Sequence, residues 1–394
     1  MLREIARKIR RHIGGHKPSI HQQTVSLHPE GPPRGNVLLA YIIDPFLRTS
    51  GQPIASNHTH HWESFQIAQT FLNHGFGVDV ISYMNSTFRP RKQYQFFVSA
   101  RTNLEKIAGR LNPGCTIIAH LDTAHWVSNN HAAYARLLSL QERRHATVTK
   151  SLRIIESNLA IERASIATVL GNDYTIGTYK YAGKPVVRIP ISTTATFEWN
   201  TGKDFERCRN NYLWFGSSGF VHKGLDLVLE AFAGLPHHNL WVCGPFDDEK
   251  DFITAYHREL FETPNIHAVG WTDVNSKEFV DIAENCLGLV YPSCAEGGGG
   301  SAITCMHAGI VPILSREASV DIDDGCGRLL RECTVREIMD TVTGLSGLPA
   351  HELRGLARNS WQMAREYHTR ERFAQEYDRF VSQTLIPMTA GRPS

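Results

Sequence analysis

The chain has 394 residues, 42% of them hydrophobic and 20% charged, with a formal net charge of +2. That length suits two domains rather than one core, and the near-balance of charge excludes a nucleic-acid binder that works by bulk electrostatics. No apolar run reaches the roughly 18 residues of a membrane span, residues 1–17 lack the apolar core of a signal peptide, and the eight cysteines form no Cys-x-x-Cys pair, so buried thiols in a reducing cytoplasm are expected.

In chain order, Leu2, Ile5, Ala6, Ile9 and Ile13 fall on one helical face with Arg3, Arg7, Lys8, Arg10 and Arg11 around it. This short basic amphipathic helix fits peripheral contact with an anionic membrane surface through residues 1–17, and fits a solvated leader equally well. Residues 14–35, rich in Gly, Pro, His and Gln, read as a linker. A buried strand is predicted over 37–43, then a long loop over 44–57 that contains Gly51. Thr59 suits the N-cap of a helix running to about 73, with Glu63 in its first turn. Further strands are predicted over 78–83, over 116–119 ending in His120-Leu-Asp122, over 167–171 and over 186–191. Residues 192–209 read as the interdomain linker.

A second strand–helix series opens at Asn211. Strands are predicted over 213–216, 240–243, 266–269, 287–291 and 311–314, with helices over 225–232 and 279–285 and an amphipathic helical tail over 350–384. The alternation predicts an α/β fold of two doubly wound domains facing a cleft. The divisions are a leader and linker at 1–35, an N-terminal domain at 36–200, a C-terminal domain at 211–365, and a closing helix and tail at 366–394.

Two strand-end segments carry chemistry. Pro292-Ser-Cys-Ala-Glu296 runs into Gly297, Gly298, Gly299, Gly300 and Ser301 at the start of a helix. Four consecutive glycines lose much conformational freedom on folding, and the reason expected is close approach of backbone amides to a ligand at a helix N-terminus, where phosphate is favoured. Gly216-Ser217-Ser-Gly219-Phe-Val-His-Lys223-Gly224 offers a lysine on a glycine-flanked loop, a point charge for phosphate. A dinucleotide-binding Gly-x-Gly-x-x-Gly, a Walker motif and a Gly-x-Ser-x-Gly elbow are all missing, which argues against dehydrogenase, NTPase and α/β-hydrolase chemistry. The His58–His61 cluster sits at a helix start without zinc-site spacing, and no acidic cluster suggests a metal.

The Lys223-Gly224 loop, Cys243-Gly244-Pro245, Asn265 to Gly270, Glu296-Gly and Ala308-Gly309-x-x-Pro312 together resemble the donor domain of retaining, group 1-type (family 4-like) glycosyltransferases of the GT-B fold. The likeness is close over 211–385 and only architectural over 36–190. It implies a nucleotide-sugar donor held by the C-terminal domain, a glycan, lipid or protein acceptor at the N-terminal one, a closing helix that crosses back, and no metal or further cofactor. Lys223 would then hold the donor diphosphate together with Ser217 and Gly219, and Glu296 would contact hydroxyls of the transferred sugar. The amides of Gly297 to Ser301 would face sugar and phosphates. His120 falls where many members carry a histidine facing the sugar, with Asp122 near it, and Gly51 where a turn near the donor phosphates is expected.

Two positions depart from the pattern. Thr304 stands in place of the second, ribose-binding Glu, and a neutral hydroxyl bonds more weakly by about a factor of two. Ser217 stands in place of an arginine, so another cation supplies that phosphate clamp or donor binding is altered. A non-catalytic relative that binds nucleotide sugars or glycans, an epimerase of the same fold and a membrane-surface scaffold are the rival readings.

Overall fold

The computed structural model describes residues 19–390 except 50, 57, 101 and 102; the basic stretch read at 1–13 lies outside them. Among the described residues no helix is long and apolar enough to cross a membrane. The first sheet contains β1 (Thr24–Leu27), β2 (Asn36–Tyr41), β3 (Gly77–Ser82), β4 (Phe96–Ser99), β5 (Thr116–Leu121), β6 (Ile166–Val169) and β7 (Val186–Arg188). Their spatial order is β1-β3-β2-β4-β5-β6-β7. All neighbours pair in parallel except β1, which runs antiparallel to β3. Val37, Leu38, Leu39, Ala40 and Tyr41 are all fully buried, the continuous apolar run expected of a parallel strand covered on both faces.

The reading of 14–35 as a linker is corrected by β1. It is short and lies at the sheet edge, with side chains alternately exposed and half-buried, so it carries little apolar signal. A second correction concerns α1 (Thr59–Asn73). Thr59 is already helical, and the cap is His58, whose Nδ1 accepts from the His60 amide at 3.2 Å. Glu63 does not serve the helix dipole. It is fully buried, and its Oε1 accepts from the amide and the hydroxyl of Ser192, both at 2.9 Å.

The second sheet contains β8 (Asn211–Phe215), β9 (Asn239–Cys243), β10 (Ile266–Gly270), β11 (Gly288–Tyr291), β12 (Val311–Ser315) and β13 (Arg328–Leu330). It is wholly parallel in the order β10-β9-β8-β11-β12-β13. In this doubly wound arrangement the connections diverge between β8 and β11, and that crevice at the C-terminal strand ends is where ligands bind.

Two elements join the halves. The tail expected as one helix over 350–384 breaks at His368 into α5 (Ala350–Tyr367) and α6 (Arg370–Phe380), with Thr369 capping the latter. Numbered in chain order, the helices between α1 and α5 that matter below are α2 (Trp126–Arg144), α3 (Leu225–Ala233) and α4 (Gly300–His307). α6 returns to the first domain and packs on α1: the Phe373 ring meets Trp62 edge-on at 5.8 Å, and Tyr377 meets Phe71 at 6.4 Å.

The other junction, with no counterpart in the sequence reading, is α2. It leaves the first sheet and places Leu140 in the core of the second domain. Arg143 pairs with Asp226 at 2.5 Å and Glu230 at 2.9 Å on α3, and Arg144 pairs with Glu259 at 2.8 Å. Phe373→Ala removes a fully buried ring from the α1–α6 contact and is expected to cost about 3–5 kcal/mol. The check is denaturant unfolding followed in the first domain; a loss below about 1 kcal/mol would show that α6 does not hold it.

Candidate active site

The cleft between the two sheets has a volume of about 680 Å³, within the usual range for a small-molecule site. It brings together Lys223, Glu296, Gly297 to Gly300, Ser301, Thr304, Ser217 and His120 from the residues singled out above. Gly219 lies just behind this surface in the lysine loop. Gly51 is set apart: it takes a left-handed turn (φ +88°) on an exposed loop, and Ala55 and Ser56, further along the same loop, reach the cleft instead.

The lysine loop leaves β8 and turns back through two left-handed glycines, Gly219 (φ +94°) and Gly224 (φ +73°). The buried carboxylate of Glu249 fixes the bend by accepting from the amides of Gly219 and, at 3.1 Å, Phe220. Lys223 is buried, and its Nζ donates to Ser217 Oγ at 2.8 Å. Burial lowers its pKa to about 8, helped by the like charge of Arg153 and opposed by Glu296 and Glu249. His222 is a strut. Burial lowers its pKa to about 4, so it is neutral near pH 7, and its Nε2 lies 2.6 Å from the Ala295 carbonyl, tying the lysine loop to the acid loop.

Glu296 follows β11. Its Oε1 accepts from Tyr291 Oη at 2.9 Å and Ser293 Oγ at 3.2 Å, and its Oε2 lies 4.0 Å from Arg153 Nη1. Burial alone would raise its pKa, but the charges of Lys223 and Arg153, with the hydrogen bond from Tyr291, outweigh it and hold the acid below its usual range. Glu296 is therefore an ionised acceptor aimed at a cleft that also holds two cations.

The glycine run has a second cause that ligand approach did not foresee. A Cβ at Gly297 would sit 2.2 Å from both the Asp122 carbonyl carbon and the Thr123 nitrogen. The glycine loop thus touches the backbone of the opposite domain there. Gly299 takes φ +50° as the cap of α4, and a Cβ on it would lie 2.5 Å from the Ala318 carbonyl oxygen. Gly300 opens α4, whose N-terminal amides face the cleft. Thr304, one turn on, donates its hydroxyl to the Gly300 carbonyl at 2.9 Å. With its single proton committed, it can only accept from a ligand.

Across the cleft, His120 is the penultimate residue of β5. Its Nδ1 lies 2.8 Å from Thr168 Oγ1, and its ring packs edge-on against Tyr41 at 5.2 Å. Asp122 Oδ2 lies 3.6 Å from His60 Nδ1, and His60 Nε2 lies 3.9 Å from Glu63 Oε2. Burial pushes Glu63 up to about 7. Sequence reasoning missed Glu249, His222, Arg153 and Trp271. The first three act through contacts between distant segments, whereas Trp271, exposed at the cleft rim just beyond β10, follows the Asn265–Gly270 segment directly.

No protein-family model matches the chain, and no curated protein matches it either. Solved structures do. A sucrose-phosphate synthase from Thermosynechococcus elongatus superposes with a TM-score of 0.63 at 14% identity, covering 90% of this chain and 100% of that one. Anabaena Alr3699/HepE in complex with UDP-glucose superposes with a TM-score of 0.56 at 12% identity, covering 89% and 100%. The chain has the two-domain GT-B fold of glycosyltransferases.

Gly297→Ala is expected to force the two domains apart and to destabilise the protein by about 1–3 kcal/mol, as overpacking does. Small-angle scattering should show a larger radius of gyration and calorimetry a lower midpoint. An unchanged radius would mean that the Asp122–Thr123 contact does not set the closure.

Proposed function

We propose that the chain moves a sugar from a nucleoside diphosphate to a hydroxyl of a glycan, lipid or protein acceptor, with retention at the sugar C1 and without a metal. One observation carries the reading. Lys223 and Glu296, from loops on either side of the β8–β11 switch point, meet beside four glycines and the start of α4. Lys223 and the α4 amides suit a diphosphate, while ionised Glu296 suits the hydroxyls of a sugar. Trp271 at the rim offers a stacking face for a base. The GT-B likeness adds weight, since one structure of that fold was solved with UDP-glucose.

In the reaction, the bond from C1 to the β-phosphate oxygen breaks and its electron pair leaves with the phosphate. The acceptor oxygen bonds C1 from the same face and passes its proton to the departing phosphate oxygen. Lys223 and the amides meet the developing negative charge, the largest demand on such a site. Asp122 and His120 form the opposing wall, where the acceptor enters.

Nucleotide release from UDP-, GDP-, ADP- and dTDP-sugars, with product anomers read by NMR, tests this. Wild type should release one nucleotide, and Lys223→Ala or Glu296→Ala should lower the rate by about 10²–10³. Tight binding with no turnover across a panel of acceptors would make the protein a binding module, and an inverted product would overturn retention.

The lysine adds a pH signature. Its pKa of about 8 in the free protein lets it lose its proton just above neutrality. Diphosphate affinity should therefore be flat from about pH 7, where the terminal phosphate is already ionised, to that pH, and fall by up to about tenfold per unit above it. Lys223→Arg should flatten the profile to pH 10; an equally steep profile in that variant would assign the titration to another group.

A further inference from the structure

Lys223 is one cation for two phosphates, because Ser217 replaces the arginine that the resemblance expects. We propose that Arg153, delivered from the opposite domain, is the second cation on the donor diphosphate. This rests on reading the cleft as a nucleoside-diphosphate site.

Arg153 lies on the segment that follows α2, and both flanks of that segment are built. On the first-domain side, Asn129 Nδ2 donates to the Arg153 carbonyl at 2.7 Å, and Asn130 accepts from and donates to Ile155 at 2.9 and 2.8 Å. On the second-domain side, the His222 amide donates to the Ser151 carbonyl at 3.1 Å, and Ser151 Oγ donates to Glu249, the same carboxylate that fixes the lysine loop. Thr149 Oγ1 donates to Asp251 at 2.8 Å. The segment is therefore sewn to the lysine loop one residue before it turns back to its own domain.

The side chain crosses that loop. Its Cγ and Cδ would lie 2.8 and 3.0 Å from a Cβ at Gly219, so the glycine there makes room for the arginine as well as for the turn. The guanidinium then enters the cleft beside Lys223, Ser217 and Glu296. Its approach to Glu296 is 4.0 Å, outside hydrogen-bonding distance. The acid holds the fork nearby without consuming its N–H groups, and the side chain is 45% exposed toward the cleft. Lys223 and Arg153 flank Glu296, with His222 neutral and Glu249 turned into the loop, while Asp122, Glu156 and Asp273 also line the cleft. An anion placed between Lys223 and Arg153 would be met by two cations, and a guanidinium fork can bind phosphate oxygens bidentately. As the electron pair of the breaking C1–O bond moves onto the β-phosphate, Arg153 and Lys223 would share it. Donor binding would thereby clamp the two domains.

Calorimetric titration of full-length protein with UDP, GDP, ADP and dTDP, each against its monophosphate, tests this. Arg153→Ala should weaken the preferred diphosphate about tenfold, a modest loss for a charged contact because the group is half-exposed. The monophosphate should change less than about twofold, and adding Ser217→Arg to Arg153→Ala should recover most of the loss. Unchanged diphosphate affinity, or equal losses for mono- and diphosphate, would overturn the role. So would a loss that vanishes in a Glu296→Gln background, since Arg153 would then act only through the acid. If wild type binds none of the diphosphates, the functional reading itself fails; if it binds one and Arg153→Ala binds it equally, only the arginine's role fails.

Discussion

The contact on which the site depends is between two backbones. Gly297 passes so close to the Asp122–Thr123 peptide that no side chain fits between them. Backbone can approach backbone this closely only at glycine, and the approach fixes how far the two sheets stand apart. Around it, Thr175 from the first domain donates to the Glu296 carbonyl at 3.2 Å, and Ser319 from the second accepts from the Asn172 amide at 3.1 Å. These bonds turn the C-terminal edge of each sheet toward the other, so that Glu296 and the α4 amides look across at His120 and Asp122. Neither sheet alone has a cleft.

That closure sets the electrostatics. Lys223 is removed from water, which lowers its pKa, and is balanced by an acid that the same burial would otherwise neutralise. Buried charges without partners are costly. The cleft therefore keeps its cations close to Glu296. Glu249 and His222 hold the loops that present these charges. Because α2 reaches into the second domain and the chain then runs along the lysine loop, part of the charge beside Lys223 comes from the first domain.

Much of this was legible in the sequence, for reasons that differ by element. β2, β3, β5, β8, β9 and β11 are apolar runs bounded by glycine or polar breaks, and a parallel strand buried on both faces has no other composition available to it. Lys223 and Glu296 stood out because each follows such a strand among glycines. β1 did not stand out, since an edge strand with half-exposed side chains looks like the polar residues around it. Nor did α2: only Asn129, Ala133 and Leu140 are buried along its 19 residues, because it spans two domains and never lays a full apolar stripe on either. Gly51 was placed by analogy of position, and the loop carries it outward. Thr59 and Glu63 fitted a helix start by residue type, yet the cap fell one residue earlier and the acid turned inward to Ser192.

The sequence by itself determined the two doubly wound domains, the strand ends that face the cleft and the residue types held there, because hydrophobic periodicity and glycine chemistry are local properties of the chain. Tertiary structure alone decided which of those residues meet: that Gly297 serves a domain contact and that Arg153 arrives beside Lys223. Such relations join segments 70 to 175 positions apart in the chain. They depend on how two cores pack against each other, which no local pattern of residues records.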